Sequence, residues 1–412
     1  MDVMYPRCCG LDVHKKTVVA CVLIAAPAGP PTKLVRTFST MTDDLRRLAA
    51  WLREQQVTHV AMESTGVYWK PLYNVLEADF TLLLVNAQHI KAVPGRKTDV
   101  RDGEWIAELL RYGLLRGSYV PDQAQRELRE LTRYRTAQIQ ERTREVNRLQ
   151  KVLEGANIKL AAVASDVLGV SGQAMLHALV EGVSDPAVLA ELAQGRLREK
   201  LPELERALAG RFAAHQRLLV AQQLAHIDYL DAAIAQLDGE VAARLGPFED
   251  LLARLDTIPG VGRRTAEVLL AEIGVDMTRF PSAKHRASWA GLCPGNDESA
   301  GKRRNGKTRK GNPWLRAALV QAAHAAGRKK DTYLQAQYRR LVGRRGGKKG
   351  AIAVGHSILE IAYHIIQGGT VYEDLGVHYF DERERQAVER RAVKKLEGLG
   401  FKVTLEPATL AA

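Results

Sequence analysis

Four acids near the start of the chain stand where carboxylates do chemistry on phosphate esters. Asp12 closes an apolar run in Gly10-Leu11-Asp12-Val13-His14-Lys15, and Glu63 closes another in Met62-Glu63-Ser64-Thr65-Gly66. Asp99 and Asp102 stand at i and i+3 in Lys97-Thr98-Asp99-Val100-Arg101-Asp102, a spacing that turns both the same way at a helix start. Carboxylates gathered at one point repel, and a divalent cation between them relieves the repulsion. Two Mg2+ ions held in this way activate an attacking oxygen and stabilise a leaving oxygen at phosphorus. Singly, each acid also has an ordinary role. Asp12 suits a turn, Glu63 a surface, and Asp99 and Asp102 a helix N-terminus, where negative charge complements the dipole. Their combination along one order of elements is the more specific signal.

The elements that must position them read as follows. A strand runs to Asp12, a polar break follows at His14-Lys15-Lys16, and strands cover Thr17 to Ile24 and Leu34 to Met41. Short connections make these three an antiparallel meander. Asp43-Asp44 opens a helix with Leu45, Leu48, Ala49 and Leu52 at i, i+3, i+4 and i+7. A buried strand from His59 to Met62 ends at Glu63. A helix from Val67 to Ala78, a strand from Phe80 to Val85, a basic loop from Lys91 to Lys97 and a helix from Val100 to Leu115 complete the series. The order β-β-β-α-β-α-β-α predicts an α/β domain over residues 1–120, a mixed sheet flanked by helices.

The character changes at Pro121. Ile139, Val146, Leu149 and Leu153 step by seven, three and four, and Ile227, Leu230, Ile234, Leu237 and Val241 step by three and four. Heptad spacing predicts a helical, coiled-coil middle over residues 121–246, packed as a hairpin or between protomers. A mainly α C-terminal domain is expected over residues 247–375, with a tail over 376–412.

The net charge is +13, and two segments carry the excess. Lys302 to Arg316 holds seven basic residues and no acid, and Arg339 to Lys349 holds six and no acid. Such a localised excess suits a polyanion, most often nucleic acid, although a solvated face has the same composition. The longest apolar run, Thr17 to Ala26, is too short to span a bilayer. Cys8, Cys9, Cys21 and Cys293 have neither zinc-site spacing nor disulfide density, and read as reduced core residues of a cytoplasmic protein.

The C-terminal region adds two motifs. Ile258-Pro259-Gly260-Val261-Gly262-Arg263-Arg264 runs into a helix and resembles the hairpin of a helix-hairpin-helix element. Gly260 and Gly262 would let backbone approach phosphate, with Arg263 beside it. A tight turn between packed helices is the alternative. Further on, Ser299 lies in a Gly/Lys/Arg/Asn-rich loop expected from Gly291 to Asn312, directly before Lys302, Arg303, Arg304, Lys307, Arg309, Lys310 and Arg316. Those cations would contact phosphate and steady charge developing at phosphorus. By spacing alone Ser299 is a loop hydroxyl or a cap. His356 and His364, at i and i+8, make no good metal pair.

The Asp, Glu, Asp, Asp series in this order resembles the RNase H-like (RuvC-like) domain of the DEDD transposases of bacterial insertion sequences, relatives of the Piv invertases. The phrases around Asp12 and Glu63 are in the family style, as are Asn86-Ala87 and Val93-Pro94-Gly95-Arg96-Lys97-Thr98-Asp99. The resemblance covers most of residues 8–160 and 250–375. It implies DNA strand exchange in which Asp12, Glu63, Asp99 and Asp102 hold Mg2+, or Mn2+ in its place. It also implies that Ser299 attacks the scissile phosphate. The family commonly has Ser-Gly where this chain has Ser-Ala-Gly. A composite site between protomers, a homodimer or homotetramer on two DNA duplexes, and a structured guide non-coding RNA from the element are further implications. Competing readings are a RuvC-like junction nuclease that hydrolyses with water, and a non-catalytic architectural DNA-binding protein.

Overall fold

A computed structural model of the chain describes residues 2–27, 29–64, 66–86, 102–295, 297–299, 302–383 and 385–405, with backbone alone at 297–299, 302–305 and 386–388. The chain divides into two compact units, Met1–Pro121 and Asp122–Ala412. Among the described residues no helix is long and apolar enough to cross a membrane.

The first unit contains β1 (Arg7–Val13), β2 (Thr17–Ile24), β3 (Thr32–Ser39), α1 (Thr42–Glu54), β4 (His59–Glu63), α2 (Trp69–Leu76), β5 (Thr81–Val85) and α3 (Asp102–Arg111). The strands form one sheet in the order β3-β2-β1-β4-β5. β1, β2 and β3 pair antiparallel, as the short connections require, whereas β1, β4 and β5 run parallel. Helices cover both faces, so the central strands are apolar almost throughout. Cys9, Leu11 and Val13 pack with Leu45, Leu48 and Leu52 of α1 and Leu72 and Leu76 of α2. Cys8, Cys21 and Ala61 pack on the other face with Ile106, Ala107 and Leu110 of α3. Gly10 belongs to that second face. A Cβ placed there would lie 2.2 Å from the Gly103 carbonyl oxygen and 2.4 Å from the Ala107 nitrogen, so the helix backbone rests directly on the strand.

In the second unit α4 (Gln123–Gly155) is capped by Asp122, whose side chain accepts from the Gln125 amide at 2.9 Å. Four short helices follow: α5 (Leu160–Val163), α6 (Val170–Glu181), α7 (Pro186–Glu191) and α8 (Leu201–Leu208). They bury Met175, Leu176, Leu189 and Leu204 against Leu149 and Leu153 of α4 and Ile227 of α9 (Ala214–Leu245). α4 and α9 are antiparallel: the ion pairs Glu127–Arg244, Arg135–Asp238 and Arg142–Asp231 step in opposite directions along the two helices. The expected heptad stretches thus meet within one chain, as a helical hairpin.

The remainder comprises α10 (Glu249–Asp256), α11 (Arg263–Ile273), α12 (Ala283–Trp289), β6 (Asp297–Ser299), β7 (Lys302–Asn305), α13 (Pro313–Ala326), α14 (Tyr333–Arg345), α15 (Gly347–Gly368), α16 (Tyr379–Arg383) and α17 (Arg385–Glu397). Leu128 of α4 and Val241 and Leu245 of α9 enter its core beside Leu269, Leu319 and Ile358. The boundary expected at residue 246 therefore falls inside the second unit, between helices that share one core. All four cysteines are free. Cys8, Cys9 and Cys21 are buried, and Cys293 is half-buried, packed against the edge of the second unit's core.

Candidate active site

β1 and β4 are parallel neighbours whose register ends with Leu11 opposite Met62. One residue further along each strand stand Asp12 and Glu63. Side chains alternate across a sheet, so Asp12 follows Cys8 and Gly10 onto the face that α3 covers, and Glu63 follows Ala61 onto the same face. α3 opens at Asp102, which is exposed. Its second residue, Gly103, lies against β1: a Cβ there would be 3.5 Å from Asp12 Cβ and 3.3 Å from the Val19 carbonyl oxygen. Asp12 and Glu63 thus end adjacent strands on one sheet face, and the helix start that carries Asp102 lies against the first of those strands. Asp99 lies outside the described residues.

Asp12 is partly exposed, and its Oδ2 sits 3.2 Å from His14 Nε2. Glu104, in the first turn of α3, is engaged by Lys33 of β3. Among the described residues no three His, Cys, Asp or Glu side chains converge as metal ligands. The donors present at Asp12, Glu63 and Asp102 are all carboxylate oxygens, the chemistry that suits a hard divalent cation.

The segment expected as a loop from Gly291 to Asn312 contains a β-hairpin. Ser299 pairs with Lys302 and Glu298 with Arg303, antiparallel, and Pro294 bridges Thr308. The Gly295 amide donates to the Lys307 carbonyl at 2.9 Å. At the base the strands are pinched together: Gly291 has φ +73°, and a Cβ on Gly311 would lie 2.3 Å from the Ala290 carbonyl oxygen. Ser299 therefore ends β6 at the far end of a hairpin whose base only glycine permits.

The expected phosphate contacts fall in different settings. Lys307, Arg309 and Lys310 are exposed along the hairpin's return strand. Lys302, Arg303 and Arg304 are placed by backbone alone, in β7. Arg316 braces the hairpin base, its Nη2 donating to Thr308 Oγ1 at 2.7 Å. Gly260, at φ +86°, packs on α13, where a Cβ would lie 2.3 Å from the Ala322 carbonyl oxygen. Gly262 is the exposed N-cap of α11. Arg263 is held by Glu249 and by Glu267 at 2.8 Å, and these carboxylates push its guanidinium further above its ordinary pKa.

One group was not anticipated from the sequence. Glu272 of α11 has no solvent exposure and binds Arg133 through both oxygens, at 2.6 and 2.8 Å. Asn312 Nδ2 donates to Glu272 Oε2 at 2.5 Å, and the Asn312 Oδ1 accepts from the Trp314 and Leu315 amides, capping α13. Arg129 and Gln125, one and two turns before Arg133, donate to the Ala271 carbonyl at 3.0 Å. This ladder ties α4 to the helix end that holds the hairpin's base. Its only sequence signal is the spacing Gln125, Arg129, Arg133.

Comparison with known proteins gives a consistent picture. Residues 9–158 match a transposase model of the DEDD, IS110 kind, and residues 252–339 match the model of the transposase IS116/IS110/IS902 family. The chain is 29% identical over 308 residues to the insertion element IS110 uncharacterized 43.6 kDa protein of Streptomyces coelicolor, covering 68% of this chain and 73% of that one. It is 26% identical to the putative transposase y4pF/y4sB of Sinorhizobium fredii, over 79% of this chain and 77% of the relative. It is also 32% identical to the pilin gene-inverting protein of Moraxella bovis over 148 residues, 34% of this chain and 46% of that protein. With both models matched in order and relatives similar along most of its length, the chain belongs to the IS110 family of transposases, enzymes of DNA transposition and recombination.

Proposed function

We propose that this transposase cuts and rejoins DNA strands through Ser299, with an RNase H-like carboxylate site formed by Asp12, Glu63, Asp99 and Asp102. The observation that carries the reading is the placement of Asp12 and Glu63 at the ends of adjacent parallel strands, with Asp102 opening the helix packed over them. The strand order β3-β2-β1-β4-β5 supports the RNase H-like assignment.

In the proposed reaction a bond forms between Ser299 Oγ and phosphorus as the phosphorus–sugar oxygen bond breaks. The serine proton leaves and the departing sugar oxygen gains one. A second sugar hydroxyl then displaces the serine, so the number of phosphodiester bonds is conserved. The backbone of Ser299 pairs with that of Lys302 away from the hairpin's base, and the positive charge of Lys302 and its neighbours would oppose the charge developing on the phosphoryl oxygens. Mg2+ bound by the four carboxylates would supply Lewis-acid stabilisation of that charge. His14 orients the Asp12 carboxylate through the contact at 3.2 Å. Target and donor choice are assigned to pairing with a non-coding RNA of the element, which leaves the protein to grip backbone. The working assembly is a homodimer or homotetramer.

The test is a covalent-adduct assay. Purified protein is mixed with Mg2+, RNA transcribed from the DNA flanking its gene, and labelled duplexes. A protein–DNA adduct on a denaturing gel that is absent in both Ser299→Ala and Asp102→Ala supports the reading. Cleavage without an adduct, unaltered by Ser299→Ala, replaces it with metal-dependent hydrolysis.

A further inference from the structure

A second basic segment lies on elements other than the serine hairpin. Between Asp331 and Glu360 the chain holds six Lys and Arg residues and no Asp or Glu. They lie on α14 and α15, two helices joined by the single residue Gly346. The helices run antiparallel in close contact. Gln337 Nε2 donates to Ser357 Oγ at 2.9 Å, and nearer the turn a Cβ on Gly350 would meet Val342 Cγ2 at 2.7 Å. Leu334, Ala351, Val354 and Ile358 anchor the inner side in the core. Every residue from Gly343 to Lys349 is exposed. Among the described residues Arg344, Arg345, Lys348 and Lys349 form no ion pair with an acid.

The arrangement works against the stability of its own helices. Arg344 and Arg345 suit the C-terminus of α14, but Lys348 and Lys349 sit in the first turn of α15, where the dipole disfavours cations. Four like charges within six residues repel as well. Two glycines also lack an internal purpose: a Cβ on Gly343 or Gly347 would meet nothing within 4 Å, and neither residue needs a positive φ. A polyanion seated on the tip accounts for all three features. It neutralises the cations, reverses the dipole penalty and profits from bare backbone that lets phosphate come close.

We propose that the α14–α15 tip is a docking surface for the phosphate backbone of duplex DNA, with Arg344, Arg345, Lys348 and Lys349 as its contacts. DNA is the partner because the chain belongs to a DNA transposase family, and the proposal rests on the reading of the chain as a strand-exchange enzyme. Contacts of this kind set position and affinity and carry no sequence information.

The test measures binding of the full chain to a labelled mixed-sequence duplex DNA across a salt series, in EDTA so that no chemistry occurs. Combined Arg344→Ala, Arg345→Ala, Lys348→Ala and Lys349→Ala should weaken binding about 10- to 100-fold and make the slope of log affinity against log salt shallower by about 3 to 4. A charge-keeping variant, Arg344→Lys, Arg345→Lys, Lys348→Arg and Lys349→Arg, should retain the parent's affinity and slope and melt with the parent, and the alanine variant should melt no lower than the parent. Equal affinity and slope for parent and alanine variant overturn the surface and leave the strand-exchange reading standing. A loss seen only with duplex RNA overturns the DNA assignment. Failure of the parent to bind DNA overturns both readings. A salt-slope change in a protein that forms no Ser299 adduct supports the surface and sinks only the nucleophile.

Discussion

Glu272 and Arg133 form a two-point ion pair, Arg133 Nε donating to Oε1 at 2.6 Å and Nη2 to Oε2 at 2.8 Å, on a carboxylate with no solvent exposure. A buried pair adds little net stability against an apolar replacement, but removing one member strands the other. Glu272→Ala leaves Arg133 without its carboxylate and the Asn312 amide without its acceptor. Arg133 is 35% exposed, so water can replace part of what it loses, and the expected cost is about 1–3 kcal/mol, read as a lower urea midpoint at unchanged slope. Glu272→Gln keeps an acceptor for Asn312 and should fall between. An alanine variant that unfolds at the parent's midpoint would show that the pair holds nothing.

Gly10 makes a parallel case in the first unit. A Cβ at this position would come 2.2 Å from the Gly103 carbonyl oxygen and 2.4 Å from the Ala107 nitrogen, both main-chain atoms that cannot swing aside. Gly10→Ala must push α3 off the sheet, at a cost of about 3 kcal/mol, the upper end of overpacking penalties. Because α3 carries Asp102 and lies against Asp12, strand cleavage should fall further than stability explains. A folded Gly10→Ala protein with parental cleavage would refute the coupling of helix seat to site.

These two positions also mark how far the sequence can be read. Asp12 and Glu63 were legible because each ends an apolar run whose alternation implies a strand, and strand ends are where a sheet presents polar groups. The three-strand meander, α1 and the two heptad stretches were legible for the same reason, since each has a period. The hairpin around Ser299 has none. Its strands are made of Asp297, Glu298, Lys302, Arg303 and Arg304, and what closes it is a long-range approach of Gly291 to Gly311. Glu272 was invisible because its partners lie 139 residues before it and 40 after it. Nor does the sequence reveal that Glu249 and Glu267 reach Arg263, a residue expected at phosphate.

The buried thiols give the first unit an alkaline limit. Burial pushes Cys8 up to about 12 and Cys21 up to about 11 from an ordinary value of 9.0. Above pH 9 the unfolded chain releases these protons while the native chain keeps them. The unfolded state then binds fewer protons, so unfolding free energy falls as pH rises. The loss begins near the unfolded value and ends near the folded ones. Urea titrations from neutral pH to pH 11 should show this decline, and Cys8→Ala should reduce it relative to the parent, which cancels the lysines and tyrosines common to both. At pH 8 iodoacetamide should label Cys293, which is half-buried, ahead of the three buried thiols. Equal labelling of Cys8 and Cys293 in native protein would contradict the burial argument.

Gly343 separates stability from partner binding. It lies inside α14, exposed, and a Cβ there would meet nothing within 4 Å. Glycine within a helix costs about 0.5–1 kcal/mol relative to alanine through backbone entropy, so Gly343→Ala should raise the thermal midpoint of the second unit. If the bare backbone serves close approach of phosphate, the same change should weaken duplex DNA binding while every charge stays in place. A variant that is more stable and binds less tightly is the expected result, measured by calorimetry and by the salt-series anisotropy on one preparation. Higher stability with unaltered binding would confine the contact to the four cations, and lower stability would mean that α14 is not helical at Gly343.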